Sequence, residues 1–263
     1  MAKIKTISTV EVPQIWTVEY EVDLTAQTAH DFTAGGDGST LSMGGVTWTA
    51  YNSGASDKFE TTSAGLEIDP KGDATAWWAD TQDLPYFAAK LDDMMTSLGE
   101  DDTVALQLYM DSSPDASAAW DAYGLALWDG TAPTNSNYLV ARRLHNGTNA
   151  RLDSFIVNET YDQIVEATQQ TLFEIVLFPG NSAVASIGVF SSSFPDPLQT
   201  SGTYQSYTSL SGILGPGGQN DAVPTWEIPL ADARFTILAQ RYSSATVLTT
   251  TAYKLRVLRR NKD

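Results

Sequence analysis

Hydrophobic and polar residues alternate with a period of two along much of this chain. In the segment 18–24 the apolar members are Val18, Tyr20, Val22 and Leu24. The residues between them are acidic or polar, so the segment predicts a strand with one apolar face and one charged face. Similar patterns predict further strands at 104–110, 123–127, 138–144, 152–157, 172–178, 183–190, 235–242 and 252–258. Many short strands with one polar side predict an all-β fold, an antiparallel two-sheet β-sandwich.

One segment follows a helical spacing instead. Asp83 is placed to cap a helix that begins at Leu84, and Gly99 is placed to end it. The apolar residues between them are Phe87, Leu91, Met94 or Met95, and Leu98. We therefore predict one short amphipathic helix that packs against the sandwich.

No repeat or linker divides the chain, so residues 1–263 are predicted to form a single β-sandwich domain. The stretch 191–229 lacks alternation and holds five of the 11 prolines, together with a Gly-Pro-Gly-Gly run at 215–218. It predicts a long loop excursion, and loops of that length are usually functional or form interfaces.

Composition excludes several classes of function. The 263 residues include 32 acidic and 15 basic side chains and no cysteine, for a net charge of −17. The absence of cysteine excludes disulfide scaffolds and cysteine-based zinc sites. The negative charge disfavours nucleic acid as a partner. No apolar run is long enough to span a membrane or to act as a secretion signal, so we expect a soluble protein without a membrane partner.

The charge is unevenly distributed along the chain. Positions 1–5 and 254–263 carry +6, which leaves −23 on the rest of the chain. The basic residues belong to the predicted terminal strands, 1–12 and 252–263, and are Lys3, Lys5, Lys254, Arg256, Arg259, Arg260 and Lys262. Two interpretations stay open. These residues dock on an acidic partner, or they neutralise the acidic strands beside them.

The sequence lacks a recognisable catalytic set. It has no Gly-x-Ser-x-Gly elbow, and its two histidines are not arranged as a metal site. Acidic candidates for calcium are Asp92, Asp93, Glu100, Asp101, Asp102 and Asp129, with Asn135 and Asn137. None of them follows the calcium-loop pattern. We predict no catalytic residue, no metal site and no cofactor, and calcium has no support beyond these clusters.

Aromatic residues beside polar side chains suggest a sugar-binding surface. The candidate glycan-binding residues are Trp48, Tyr51, Trp77, Trp78 and Asp80. An aromatic ring can cover the apolar face of a sugar while a carboxylate binds its hydroxyls. The same rings suit a core or a protein interface equally well.

The order of the predicted strands resembles the concanavalin A-like lectin/glucanase jelly roll over about residues 14–260. The resemblance rests on the segments TVEYEVDL, YGLALWDG, NYLVARRL, LFEIVLF and AYKLRVLRR. It implies two curved antiparallel sheets, with ligands at the concave face or rim loops. It also implies pairing of the first and last strands, which would gather Lys3, Lys5 and the 254–262 cluster into one basic patch.

Glycanases of that superfamily carry Glu-x-Asp-x-x-Glu on one strand. Glu21 and Asp23 match its first two carboxylates, but Ala26 stands at the acid/base position. A retaining mechanism needs two carboxyl groups about 5 Å apart. We therefore expect Glu21 and Asp23 to form the polar side of a strand, and the protein not to be an enzyme.

The acidic, cysteine-free composition is also similar to that of bacteriophage virion proteins, among which lectin-like jelly rolls recur. The leading hypothesis is a non-enzymatic virion structural protein, a capsid decoration or accessory protein that self-associates. It would be made in the host cytoplasm and would dock through its basic terminal region. The alternative is a carbohydrate-binding, lectin-like module, and a third hypothesis is a glycan hydrolase with a degenerate Glu-x-Asp motif.

Overall fold

The computed structural model describes residues 16–31, 39–51, 58–69, 86–95, 102–114, 119–129, 138–146, 150–156, 170–178, 182–190, 232–240 and 248–260. The strands of this part of the chain are β1 (Thr17–Asp23), β2 (His30–Asp31), β3 (Thr40–Met43), β4 (Val46–Tyr51), β5 (Lys58–Thr62), β6 (Gly65–Asp69), β7 (Tyr86–Lys90), β8 (Thr103–Pro114), β9 (Ala119–Asp129), β10 (Tyr138–Asn146), β11 (Ala150–Ile156), β12 (Gln170–Phe178), β13 (Ser182–Phe190), β14 (Ala233–Gln240) and β15 (Leu248–Arg260). Short 3-10 turns follow β1 at Leu24–Ala26 and β7 at Leu91–Asp93.

The strands form two sheets. Sheet A has eight strands in the order β13-β12-β8-β15-β6-β5-β2, and β1 pairs with β15 beside this path. Sheet B has seven strands in the order β11-β10-β9-β14-β7-β4-β3. All the pairings between strands in the described residues are antiparallel. The predicted antiparallel β-sandwich is confirmed.

The hydrophobic core lies between the two sheets and joins side chains from both. Trp48 of sheet B is fully buried, with its ring stacked on Phe87 at a centroid distance of 5.1 Å. Its edge meets Phe235 at 5.7 Å. Across the sandwich, Tyr123 of sheet B meets Phe173 of sheet A edge to face, also at 5.7 Å. Aromatic pairs of this geometry stabilise a core beyond the area that they bury.

Apart from the terminal segment 1–12, which lies outside the described residues, every predicted strand overlaps an observed one. The sequence reading missed six short strands, β2 to β7, which lie between His30 and Lys90. These strands have two to six residues each. Alternation over so few positions is hard to distinguish from a loop.

The predicted helix near residues 84–98 is wrong. Residues 86–90 form β7, which pairs with β14 on one side and with β4 on the other. Phe87, Ala89 and Leu91 all reach the core. A spacing of four residues places two side chains on one face of a helix and also on one face of a strand, so Phe87 and Leu91 fit either structure. This segment is a strand because β14 and β4 lie on either side of it and form hydrogen bonds with its backbone.

Several predictions fall outside the described residues, namely the terminal segment 1–12 and the excursion 191–229. The single-domain assignment stays a prediction. Among the residues that the structure describes, no helix has the length and apolarity needed to cross a membrane.

Candidate functional site

The first and last described strands lie side by side, as the resemblance implied. β15 pairs along one edge with β8. Along its other edge, β6 pairs with residues 250–252, and β1 pairs with residues 254–259. The acidic strand β1 therefore lies beside the basic end of β15. Lys3 and Lys5 lie outside the described residues, so the predicted shared patch with them stays a prediction.

Alternation divides the basic residues of β15 between the two faces of sheet A. Leu255 and Val257 belong to the core. Lys254, Arg256 and Arg260 have the opposite parity, so they lie on the face that points away from the core, which we call the outer face of sheet A. Arg259 has the parity of the core residues. The predicted basic docking set is thus split between two faces of one strand.

A β-bulge in β1 changes which residues reach the outer face. Val18 pairs with Leu258, whereas Tyr20 pairs with Val257, because the register shifts between Val18 and Tyr20. The bulge turns Val18 to the outer face, where it is 42% exposed. The sequence prediction that Val18 shares the buried face of β1 is wrong, while Tyr20 and its neighbours Val22 and Leu24 are buried as predicted.

A row of polar residues crosses the outer face of sheet A. Glu174 of β12 is in register with Gln107 of β8. Gln107 is in register with Arg256 of β15, and Arg256 with Glu21 of β1. We call these four residues the polar row. They come from four strands that are far apart in the sequence, so only the sheet topology brings them together.

Specific contacts link members of the polar row. The Gln107 Nε2 donates to Glu174 Oε2 at 2.6 Å. The Arg256 Nε donates to Glu21 Oε2. The Arg256 guanidinium also lies over the Tyr109 ring, 5.9 Å from its centroid. Hydrogen bonds to ionised groups are stronger than neutral ones, and they fix the orientation of the groups that they join.

The polar row is buried at one end and open at the other. Gln107, Glu174 and Arg256 are buried. Glu21 and Lys254 keep 36% and 31% of their side-chain surface exposed. Removing charged groups from water is costly unless they are paired. Such a cluster on the face of a sheet away from its core is a candidate functional site.

An aromatic side chain lies on the same face as the open end of the row, farther along β1. Trp16 directly precedes β1 and is partly exposed. The Arg260 guanidinium lies 5.2 Å from its ring centroid. We call Trp16, Val18, Glu21 and Lys254 the exposed rim. The sequence reading missed Trp16, Gln107 and Glu174. An aromatic residue just before an acidic strand was the available signal for Trp16, but nothing local marks the other two.

Several predicted docking residues are engaged within the chain. Arg256 contacts Glu21, and Lys254 lies 3.3 Å from the same carboxylate. Arg259 is paired with Glu19 at 3.1 Å and with Asp102 at 3.2 Å. The second interpretation of the charge pattern, neutralisation of adjacent acidic strands, therefore holds for these three cations. Arg256 is also buried, so it adds no exposed charge to a basic surface that could dock on an acidic protein.

One member of the predicted glycan-binding set lies in the core. Trp48 is fully buried between Phe87 and Phe235, so it has no surface for a sugar, and this assignment is wrong. Its indole N–H is also used, since it donates to the Tyr20 hydroxyl at 3.0 Å. Tyr51 ends β4. Trp77, Trp78 and Asp80 lie outside the described residues and stay predictions.

The two carboxylates of the degenerate Glu-x-Asp motif have separate structural partners. Glu21 is held by Arg256 and Lys254. Asp23 accepts hydrogen bonds from the Thr25 amide at 2.9 Å and the Thr25 hydroxyl at 2.6 Å. The hydroxyl bond is the main cause that holds the pKa of Asp23 below its ordinary value. Ala26, at the third motif position, ends the 3-10 turn and brings no carboxyl group.

The acidic clusters considered for calcium are only partly described. Asp92 and Asp93 are exposed on the 3-10 turn after β7. Asp102 binds Arg259. Glu100, Asp101, Asn135 and Asn137 lie outside the described residues, and Asp129 is the last residue of β9. No group of three potential metal ligands is found among the residues that the structure describes.

Comparison with known proteins finds similar structures but no similar sequences. No protein-family model matches the sequence, and a comparison with curated proteins finds no similar sequence. An endo-1,3-beta-glucanase from Streptomyces sioyaensis aligns over 97% of this chain and 100% of its own, with 8% identity and a TM-score of 0.51. The CBM2 module of the evolved Dit of Lactobacillus casei BL23 phage J-1 aligns over 96% and 99%, with 10% identity and a TM-score of 0.39. The Emp47p carbohydrate recognition domain aligns over 95% and 98%, with 9% identity and a TM-score of 0.41.

Identities this low concern the fold alone. The glucanase alignment spans both chains nearly completely. The chain therefore shares the overall fold of that protein, a two-sheet antiparallel β-sandwich.

Proposed function

We propose that this chain is a lectin-like, carbohydrate-binding domain whose glycan lies on the outer face of sheet A. The observation that carries the proposal is the open end of the polar row, where the part-exposed Glu21 and Lys254 are joined to the buried Arg256 on the face away from the core. Carboxylates and amides bind sugar hydroxyls, and bidentate donors such as arginine fix their orientation.

The exposed rim supplies the other half of a sugar site. Trp16 offers an aromatic ring and Val18 an apolar surface, on the same face of the sheet as the charged groups of Glu21 and Lys254. A sugar ring has an apolar C–H face and polar edges, so it needs both kinds of contact. A glycan that stacks on Trp16 would reach the open end of the polar row with its hydroxyls.

Glycan titration tests this proposal. The full chain is screened against a glycan array, and the best ligand is titrated by calorimetry against wild type, Trp16→Ala and Lys90→Ala. Lys90 is exposed on sheet B, so it serves as the control. We expect Trp16→Ala to weaken binding about tenfold or more, because aromatic residues dominate such contacts. Absence of any array signal, or equal affinity of Trp16→Ala and wild type, would overturn the proposal.

We further propose that binding occurs without turnover. Glu21 and Asp23 are engaged by Arg256 and Thr25, and position 26 lacks the acid that the glycanase motif requires. Prolonged incubation with a bound oligosaccharide should leave its chain length unchanged by mass spectrometry. Any product that disappears in Glu21→Gln would contradict this.

A second proposal concerns the biological setting, and the polarised charge favours it. We propose that the domain works as a self-associating accessory protein in a bacteriophage virion and docks through its basic terminal region. Because Lys254, Arg256 and Arg259 are paired with carboxylates, Lys3, Lys5 and Arg260 are the docking residues to test. Co-sedimentation with purified capsids should fall when these three are changed to Glu. Equal co-sedimentation of that variant and wild type, or no co-sedimentation at all, would contradict it.

A further inference from the structure

One carboxylate on the outer face of sheet A is held by two cations. Glu21 Oε2 accepts from the Nε of Arg256, and Glu21 Oε1 lies 3.3 Å from Lys254 Nζ. Each oxygen has its own positive partner, which is the arrangement that proteins use to bind the carboxylate of a ligand.

The exposure of the three groups shows which of them can move. Arg256 keeps only 7% of its side-chain surface exposed, whereas Glu21 keeps 36%. The carboxylate is therefore the more accessible member of the pair. Since Glu21 lies outside the core, rotation of its side chain would withdraw this carboxylate from Arg256 Nε and Lys254 Nζ without opening the sandwich.

Cations predominate on the two strands that form this position. Besides Glu21, β1 and β15 carry the carboxylates Glu19 and Asp23 and the cations Lys254, Arg256, Arg259 and Arg260. The net charge of −17 opposes an anionic ligand at long range, but physiological salt screens exposed charges beyond about 8 Å.

We propose that Glu21 occupies a carboxylate-binding subsite, which the uronic acid unit of an acidic glycan takes over when it binds. This inference rests on the proposed glycan-binding function and names its ligand class. The sugar carboxylate would replace Glu21 as the partner of Arg256 and Lys254. Glu21 then acts as an intramolecular competitor that lowers the affinity for acidic glycans.

The test compares two charge-neutralising variants of β1. A tri-galacturonate and an uncharged tri-galactoside are titrated against wild type, Glu21→Gln and Glu19→Gln. Glu19 pairs with Arg259, which lies on the other face, so it is the matched control. We expect Glu21→Gln to bind the galacturonate about tenfold more tightly, the worth of a charge-assisted hydrogen bond. Glu19→Gln should match wild type, and Lys254→Gln added to Glu21→Gln should remove most of the gain.

The outcomes separate this inference from the proposed function. Unchanged galacturonate affinity in Glu21→Gln, with the galactoside or another uncharged glycan still bound, overturns the carboxylate subsite and leaves the glycan-binding function. An equal gain for both ligands also overturns it, because the effect would not depend on the sugar's charge. Absence of binding by every glycan in every variant overturns both. Thermal melting of each variant confirms that it is folded.

Discussion

The two faces of β1 handle polar groups in different ways. On the core side, the Tyr20 hydroxyl donates to the Met43 carbonyl at 2.6 Å and accepts from Trp48 Nε1 at 3.0 Å. On the outer side, the adjacent residue Glu21 faces Arg256 and Lys254. One residue step along the strand thus separates a closed polar contact from one that is open to solvent.

The core-side contact joins the two sheets. Tyr20 belongs to sheet A, while Met43 and Trp48 belong to sheet B. Burial is the main cause that raises the pKa of the Tyr20 hydroxyl, which stays protonated and can donate its proton to Met43. The contact fixes how one sheet lies on the other, and all three residues are buried.

The outer-side contact joins strands within sheet A and ends at an exposed carboxylate. Apolar side chains would cover this face at lower cost, because buried charges are expensive to remove from water. The comparison teaches that burial alone does not distinguish a structural polar group from a functional one. What distinguishes them is whether the network ends inside the protein or at its surface.

The largest effect is expected from the core side. Trp48→Ala removes a fully buried indole and its contacts with Phe87 and Phe235, so it should lower the free energy of unfolding by about 3–5 kcal/mol. Urea denaturation measures this change. The control is the exposed neighbour Thr47→Ala, which should stay within about 0.5 kcal/mol of wild type. A loss below about 1 kcal/mol for Trp48→Ala would mean that it is not a core residue.

The next effect concerns the polar row. Gln107→Leu leaves the buried Glu174 without its amide donor and should cost about 2–3 kcal/mol of unfolding free energy. The double variant Gln107→Leu with Glu174→Leu removes both groups and should recover most of that loss, since an apolar pair avoids the burial of a charge.

The same double variant sharpens the comparison between the two faces. If the polar row serves binding rather than folding, this variant will be about as stable as wild type but will bind the glycan more weakly in calorimetry, because Arg256 loses Gln107, the polar neighbour in register with it. Additive losses of stability from the two substitutions would show instead that the row is needed for the fold.

A matched pair of glycines tests the packing around Tyr20. Gly44 and Gly45 both have positive φ, 59° and 85°, in the turn between β3 and β4. A Cβ on Gly44 would come 2.8 Å from Tyr20 Cε2, whereas one on Gly45 meets nothing within 4 Å. Both alanine variants carry backbone strain, but Gly44→Ala should cost about 1–2 kcal/mol more in thermal or urea unfolding. Equal losses would show that Tyr20 can shift away.

The smallest effect is expected at Asp23. Its carboxylate caps the 3-10 turn through Thr25, so Asp23→Ala should cost about 0.5–1 kcal/mol at pH 7. The pKa of Asp23 is lowered in the folded state, so its ionised form stabilises the fold above its ordinary pKa of 3.8.

That contribution is lost as pH falls through the lowered pKa. The difference in unfolding free energy between wild type and Asp23→Ala should therefore stay constant from pH 5 to 7 and shrink as the pH falls below about 4. A gap that widens under acidic conditions would contradict the assignment.

Prediction from sequence succeeded where the strands are long and alternate. β8, β12 and β15 each supply many alternating positions, so their periodicity is clear. It failed at β7, because the spacing of Phe87 and Leu91 fits both a helix and a strand. It also failed at Val18, because a single bulged residue turns this side chain from the core face to the outer face of the sheet. The site was harder to predict because Gln107 and Glu174 are 67 positions apart. No local pattern marks two such residues as partners.

The amino-acid sequence alone determined that this chain folds into an antiparallel β-sandwich, because alternating strands can bury their apolar sides only against another sheet. It also determined the charge pattern, with acidic residues on β1 and basic residues at the chain's end. Only the tertiary structure decided that these two strands are neighbours, that Arg256 and Arg259 lie on opposite faces, and that Trp48 belongs to the core. Register and bulges set those outcomes, and they depend on pairings between strands that are distant along the chain.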